Sequence, residues 1–222
     1  MSFSLENVFA ASHARFKVLR KDKFVCFSPE PFVRITPGGR ISSFPMKGTI
    51  DADFENAAEQ ILADEKEAAE HATIVDLIRN DLSQVATRVR VRRWRYLDKI
   101  LRHDGRALLQ VSSEVCGQVS TDEKPGDLLF KLLPAGSISG APKAKTVEII
   151  RAAEDYERGW YTGVAGVFTG RGMEMTSCVL IRFIEVIDDK LYFKSGGGIT
   201  HRSNALSEYN EMIQKIYVPI ID

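Results

Sequence analysis

The sequence predicts an α+β fold built on large antiparallel sheets. Short blocks of β-branched and aromatic residues recur between Gly, Pro and Asp turns, and helical periodicity is confined to a central stretch and a few later segments. Strands and helices do not alternate strictly, as a parallel sheet would demand. With 222 residues, 44% of them hydrophobic, the chain can bury a substantial core. It shows no repeat, low-complexity tract or interdomain linker, so residues 1–222 are expected to form one domain.

The elements follow in order. Ser4 can cap a short helix running to about His13, after which Arg15 to Arg20 and Lys23 to Ser28 form two strands around Lys21-Asp22. Phe32 to Ile35 and Arg40 to Phe44 pair around Pro37-Gly38-Gly39. From Asp53 to about Val85 the pattern is helical, and Asp64 followed by Glu67 has the spacing of a capping box that starts a fresh helix. Strands follow near Arg88 to Trp94 and Ala107 to Val119. Lys124 to Leu133 is a short helix, Pro134 to Gly140 a small-residue loop, and Pro142 occupies the first position of the next helix. Two longer strands surround Gly170-Arg171-Gly172, and Asp188-Asp189 turns into Leu191 to Lys194. Gly196-Gly197-Gly198 breaks the sheet before a final helix from about Ser203 to Tyr217.

Composition narrows the function classes. Thirty basic and thirty acidic residues leave no net charge to draw the chain to nucleic acid or to an anionic membrane. The arginines at 88, 90 and 92 alternate with apolar residues and continue in Arg93 and Arg95, which reads as the wet face of an amphipathic strand. Cys26, Cys116 and Cys178 are far apart and odd in number, as expected of buried free thiols in a reducing compartment. No apolar run approaches membrane-spanning length and the first six residues lack the parts of a signal peptide, so a cytoplasmic protein is expected.

Lys47 is the most informative residue. In Phe44-Pro45-Met46-Lys47-Gly48-Thr49 it stands in a turn between a stiffening proline and a permissive glycine, and a lysine whose surroundings favour the neutral amine is a nucleophile. Glu67 with Glu70, and Glu208 with Glu211, are two Glu-x-x-Glu pairs, each on one face of its helix. Such pairs read either as solvated faces or, where two faces meet, as hard oxygen ligands suited to Mg²⁺. Gly136 to Lys143 lacks the spacing of a phosphate loop, yet it feeds a helix N-terminus that favours an anion such as a carboxylate. Gly196-Gly197-Gly198 serves either the same purpose or simply a chain reversal. His71 beside Glu70 reads as a packed residue, because no histidine partner stands at metal-binding spacing. Cys116, inside a predicted strand, reads as a structural thiol.

Taken together, Ser28-Pro29-Glu30, Pro45 to Thr49, the run from Glu70 to Asp81, Gly136 to Lys143, Ile181-Arg182, Gly196 to Gly198 and Glu208-Tyr209-Asn210-Glu211 resemble the motifs of the chorismate-utilising enzymes in order and spacing. The resemblance runs from about residue 14 to the C-terminus. It implies a two-layer, barrel-like arrangement of sheets flanked by helices, and relatives carry further N-terminal strands that this chain is expected to lack. It is strongest to the aminodeoxychorismate synthase type, which has lysine where anthranilate synthases have a small residue. On that resemblance Lys47 is the nucleophile and Glu30 the general acid and base. Glu70 and Glu211 are Mg²⁺ ligands, with Glu67 and Glu208 one turn away. Arg182, Lys215, Gly197, Gly198, Ser137 and Gln110 would contact the substrate. Gln110 stands where many relatives have histidine, and Val167 where some have tyrosine.

The implied substrates are chorismate and ammonia, with a separate glutamine amidotransferase as the ammonia source. Neither nucleic acid nor membrane is expected as a partner, and a homo-oligomer is compatible with the sequence. The competing expectations are anthranilate or isochorismate formation, or a truncated chain that binds without turnover.

Overall fold

The computed structural model describes residues 4–101, 107–120, 122–170, 173–200 and 203–220. In chain order the elements are α1 (Leu5–Ala11), β1 (Phe16–Arg20), β2 (Phe24–Ser28), β3 (Pro31–Ile35), β4 (Arg40–Ser43), β5 (Met46–Asp51), α2 (Ala57–Ala63), α3 (Glu65–Ser83), β6 (Thr87–Leu101) and β7 (Ala107–Gln118). They continue as α4 (Pro125–Leu132), α5 (Gly136–Ser139), α6 (Lys143–Ala153), β8 (Val164–Phe168), β9 (Met175–Val179), β10 (Phe183–Ile187), β11 (Lys190–Lys194) and α7 (Ala205–Gln214). This is the α+β class with large antiparallel sheets. Among the described residues no helix is long and apolar enough to cross a membrane.

Packing divides the chain into two compact units, each discontinuous in sequence. One gathers the chain up to Pro31, Asp155–Ala165 and the chain from Cys178 onward. Its sheet has the order β1-β2-β10-β11, and every neighbouring pair is antiparallel. Successive residues of a strand point to opposite faces, so β2, buried throughout, feeds two cores. Phe24 and Cys26 join Tyr161, Cys178, Leu180 and Phe183 on one side, where the Phe24 and Phe183 rings stack with centroids 4.6 Å apart. Val25 and Phe27 join Leu5, Val8 and Ile184 on the other. Burial in the first core pushes the Cys26 thiol up to about 12 and the Cys178 thiol up to about 11, so both are inert packing groups at neutral pH, and Cys116 is buried as well. At the start of α1, the Ser4 hydroxyl accepts from the Asn7 N–H at 3.1 Å, the expected cap.

The other unit comprises Phe32–Glu154 and Gly166–Ser177. Its sheet runs β5-β7-β4-β3-β9-β8, with β6 along the other edge of β7. The Asp64 carboxylate accepts from the Glu67 N–H at 2.9 Å and opens α3 as the capping box predicts, although the stretch before it forms a separate helix, α2. His71, Val75, Ile78 and Leu82 are the buried stripe of α3, at the spacing of one helical face.

Four expectations are corrected. β6 extends to Leu101, beyond the predicted Trp94. Register shifts on either side of Arg93, with Arg88 and Arg95 at positive φ, break the alternation that would have marked its full length. Arg88, Arg90, Arg92 and Arg93 are exposed as predicted, Arg92 while donating to Glu114 at 3.1 Å, whereas Arg95 is half-buried and donates to the Ile61 carbonyl at 3.1 Å. The loop at 134–140 contains one helical turn, α5, and Pro142 caps α6 from the position before its first residue. The single strand expected after residue 172 is two strands, because Arg182 at φ +54° turns the chain from one sheet into the other. Residues 171–172 of the predicted turn lie outside the described residues, while Gly170 has φ +74°.

Candidate active site

Lys47 lies in a strand and not in a turn, which corrects the sequence reading. β5 pairs with β7 as Met46↔Ser112 and Thr49↔Gln110, so one extra residue is accommodated between them. That bulge needs Gly48, whose φ of +88° an L side chain rarely adopts. The bulge carries the Lys47 side chain toward α3, where Nζ sits 2.8 Å from Glu70 Oε2; Lys66 approaches Glu70 Oε1 at 3.9 Å. A Cβ on Gly48 would meet Glu67 Oε2 at 3.1 Å, so both carboxylates of the first Glu-x-x-Glu pair face this bulge. Gln110 Nε2 donates to Thr49 Oγ1 at 3.4 Å and completes the cluster. The Lys47 and Glu70 side chains are 46% and 32% exposed, and ion pairs this exposed contribute about 0.2–1 kcal/mol. Stability alone gives little reason for this arrangement.

Behind the bulge, His71 is fully buried. Its Nε2 lies 2.7 Å from Ser113 Oγ, which also accepts from the Arg95 N–H at 2.9 Å, while the Ser113 N–H donates to the Pro45 carbonyl at 3.0 Å. Trp94 meets the imidazole edge-on at 5.4 Å. The packed role expected of this histidine therefore holds. Burial, then the Arg95 charge, lower its pKa below 6.5, with the Lys47 backbone opposing. A histidine held neutral in the folded state loses stability as pH falls below its unfolded value, because the unfolded chain takes up the proton first. His71→Gln should thus flatten the decline in thermal midpoint from neutral to mildly acid pH; an unchanged slope would show that His71 does not set it.

The far end of α3 holds a pair that sequence reasoning missed. Asp81, buried, receives Lys143 Nζ at 2.8 Å, and the same ammonium donates to the Leu132 carbonyl at 3.1 Å. Gly136 is required there, since a Cβ would stand 2.9 Å from Asp81 Oδ2 and 3.2 Å from Leu77. Lys143 thus ties the loop carrying Ser137, which is exposed, to the helix carrying Glu70. Asp81 lies three turns beyond Glu70, a spacing that places both on one side of the helix and was readable in advance. An open groove of about 460 Å³ runs beside Ala72, Thr73, Asp76, Leu77, Asn80 and Ala141, and Val167 on β8 is exposed.

In the first unit, Glu30 follows β2 in a loop organised by Ser28, whose Oγ accepts from the Glu30 N–H at 3.1 Å, and by Val179 N–H donating to the Glu30 carbonyl at 3.1 Å. Arg182 places its guanidinium 5.7 Å from the Tyr217 ring centroid, and its carbonyl accepts from the Phe27 N–H. Lys215, at the C-cap of α7, pairs with Glu211 at 2.5 Å and donates to the Gly196 carbonyl at 3.5 Å. Glu208 Oε2 would lie 3.6 Å from a Cβ on Gly197, and Gly198 is exposed. The predicted residues therefore gather as Lys47, Glu67, Glu70 and Gln110 in one unit and Glu208, Glu211, Lys215 and Gly197 in the other. Among the described residues, no group of three or more His, Cys, Asp or Glu side chains is assembled as a cation site.

Large antiparallel sheets flanked by helices place the chain in the fold class of the chorismate-utilising enzymes. Solved structures agree: anthranilate synthase component I from Streptococcus pneumoniae TIGR4 superposes with a TM-score of 0.80 at 29% identity, over 96% of this chain and 47% of that one. The chain belongs to the chorismate binding enzyme family, whose model matches residues 5–220. An uncharacterized PabA-like protein of Haemophilus influenzae is 51% identical over 221 residues, which is 99% of this chain and 66% of that protein. Anthranilate synthase component 1 of Acetivibrio thermocellus is 35% identical over 195 residues, covering 85% of this chain and 38% of its own length. The chain thus spans about two thirds of the first relative and well under half of the second.

Proposed function

We propose that this chain aminates chorismate at C4, giving 4-amino-4-deoxychorismate for the 4-aminobenzoate branch of folate synthesis in the cytoplasm. The observation that carries the reading is Lys47 on its bulge, with the amine directed to Glu70. In the reaction proposed, Lys47, charged where it pairs with Glu70, first loses a proton to solvent; the neutral amine then forms a bond to C2, the ring double bonds shift, and the C4–O bond breaks. Glu30 supplies the proton with which the oxygen leaves as water. Ammonia then bonds to C4, the double bonds shift back, and the C2–N bond breaks with its electron pair returning to Lys47. The net exchange is ammonia for water. A glutamine amidotransferase is the proposed ammonia source.

Arg182 and Lys215 neutralise substrate carboxylates in this reading, and Gly197, Gly198 and Ser137 offer backbone and hydroxyl donors. Gln110 replaces a histidine as the hydrogen-bond donor near the leaving hydroxyl. The donor set suits Mg²⁺: Glu70 and Glu211 are hard oxygen ligands, and each already accommodates a positive charge, that of Lys47 or Lys215. Glu70, with Glu67 one turn away, and Glu211, with Glu208 one turn away, are the proposed Mg²⁺ ligands of their respective units, and bound Mg²⁺ would offset the charge of the ring carboxylate.

The relatives named as anthranilate synthases favour a second reading, amination at C2. Product analysis separates the two. With chorismate, Mg²⁺ and ammonium, the chain should yield 4-amino-4-deoxychorismate; anthranilate or isochorismate as the sole product, or no turnover, would contradict the proposal.

A further inference from the structure

Both partners of the Lys47–Glu70 ion pair are tied to one residue of the same compact unit, Ser113 on β7. Its backbone N–H donates to the Pro45 carbonyl at 3.0 Å, two residues before Lys47. Its hydroxyl lies 2.7 Å from Nε2 of His71, the residue after Glu70 on α3. Ser113 Oγ also accepts the Arg95 N–H at 2.9 Å, which leaves its own hydrogen for the imidazole, accepting at Nε2. Ser113 and His71 are fully buried, so neither is placed to touch a substrate. The neighbouring Ser112 is buried too, yet its hydroxyl bonds to nothing among the described residues. Both strands beside β7 are irregular at this level: β5 shifts register between Met46 and Thr49, and β6 between Arg93 and Tyr96. These bulges interrupt the ladder bonds that would otherwise hold the strands in place, and the Ser113 hydroxyl supplies contacts instead.

We propose that Ser113 is a positioning residue for the Lys47 amine: through His71 it fixes the turn of α3 that carries Glu70 against the β5 bulge that carries Lys47. The inference rests on the reading of Lys47 as the nucleophile and adds the residue that aims it. The ion pair cannot aim itself, because Lys47 and Glu70 are 46% and 32% exposed and so exposed a pair holds its geometry only weakly. The rigidity has to come from behind, where no water can replace a lost hydrogen bond. Removing the Ser113 hydroxyl leaves the N–H bond to Pro45 in place but cuts the tie to α3. Glu70 and the bulge can then slip past each other, and a misplacement of about 1 Å is enough to cost about a hundredfold in rate.

The test compares Ser113→Ala with Ser177→Ala, which removes another buried hydroxyl from the same unit. Ser177 Oγ donates to the Val33 carbonyl at 2.8 Å and accepts from the Val33 N–H at 3.1 Å, far in the sheet order from β5. Both variants should lose thermal stability. Only Ser113→Ala should lower kcat for amination, by about a hundredfold with KM for chorismate little changed, and Ser113→Thr, which keeps the hydroxyl, should restore it. His71→Leu should match Ser113→Ala, and the double variant should be no slower than either, because both cut one link. His71→Gln, whose amide oxygen can accept from Ser113, should stay near the parent. A second readout needs no turnover. Acetylation of Lys47 by acetic anhydride, followed by peptide mass analysis, should speed up about two- to fivefold in Ser113→Ala and His71→Leu, the range for losing an exposed ion pair, and not in Ser177→Ala. Unchanged Lys47 acetylation in Ser113→Ala and His71→Leu would overturn the positioning role, as would equal kcat losses in Ser113→Ala and Ser177→Ala. If Ser113→Ala does not fold, the contrast of His71→Leu with His71→Gln decides on both readouts. If the parent chain does not aminate chorismate, the amination reading falls while the acetylation contrast still decides whether Ser113 places Lys47.

Discussion

Lys47→Ala is expected to lower formation of the C4-aminated product by about six orders of magnitude in kcat, the scale seen when an enzymatic nucleophile is removed. The side chain is half exposed and its ion pair with Glu70 contributes little to folding, so the thermal midpoint should move only slightly. That combination separates chemistry from collapse. The proposal also predicts the direction of the residual reaction. Without an amine to occupy C2, ammonia can attack there directly, and any remaining turnover should shift toward the C2-aminated precursor of anthranilate. Chorismate binding should survive, because Arg182 and Lys215, on which the substrate carboxylates depend, are untouched. Unchanged products and rates in Lys47→Ala would remove this residue from the reaction.

Asp81→Ala should be the most destabilising single change near the candidate site, at about 2–3 kcal/mol, because it leaves the largely buried Lys143 without its counter-ion. The estimate sits below the range for fully buried pairs because Lys143 keeps 20% of its side-chain surface in water. A double variant, Asp81→Asn with Lys143→Met, should recover much of the loss by leaving no unpaired charge. If the double variant is as unstable as the single one, lost packing against Gly136 and Leu77 outweighs the electrostatics. Burial raises the Asp81 carboxyl above its usual value and Lys143 pulls it back only partly. The folded chain therefore holds this proton more tightly than the unfolded chain, and this group's contribution to stability grows as pH falls from the raised value toward 3.8. Denaturant midpoints measured across that range should lose this component in Asp81→Asn.

Much of the fold was legible because its signals are local. Ser4 and Asp64 cap the helices that the sequence indicates, and β1 through β4 fall where alternating apolar residues meet Asp and Gly turns. What escaped depends on tertiary context. Nothing local separates Met46–Asp51 from a turn: its Pro45 and Gly48 read as breakers, and only pairing with β7 makes it a strand with a bulge. Arg182 breaks an apparently continuous strand because its backbone adopts a left-handed conformation that few sequences of this kind announce. The full reach of β6 was hidden by adjacent Arg92 and Arg93, which end the alternation at a bulge. In the candidate site, helical spacing fixed which face Glu67 and Glu70 share, but the Lys47 to Glu70 contact joins residues 23 positions apart by a register that only the sheet supplies. The Asp81 to Lys143 pair links still more distant segments, and its acid carries no local mark of burial.

The central claim is that the Lys47 amine forms a covalent bond to the substrate ring, and intact-mass analysis of the chain incubated with chorismate and Mg²⁺, with ammonia withheld, tests it most directly. The proposal predicts a species heavier than the chain by one chorismate less one water. Peptide mapping should place it on Lys47, and Lys47→Ala should lack it. Adding ammonium should discharge it. An unmodified chain in the absence of ammonia, alongside steady formation of 4-amino-4-deoxychorismate once ammonia is added and no slowing in Lys47→Ala, would contradict a covalent lysine intermediate.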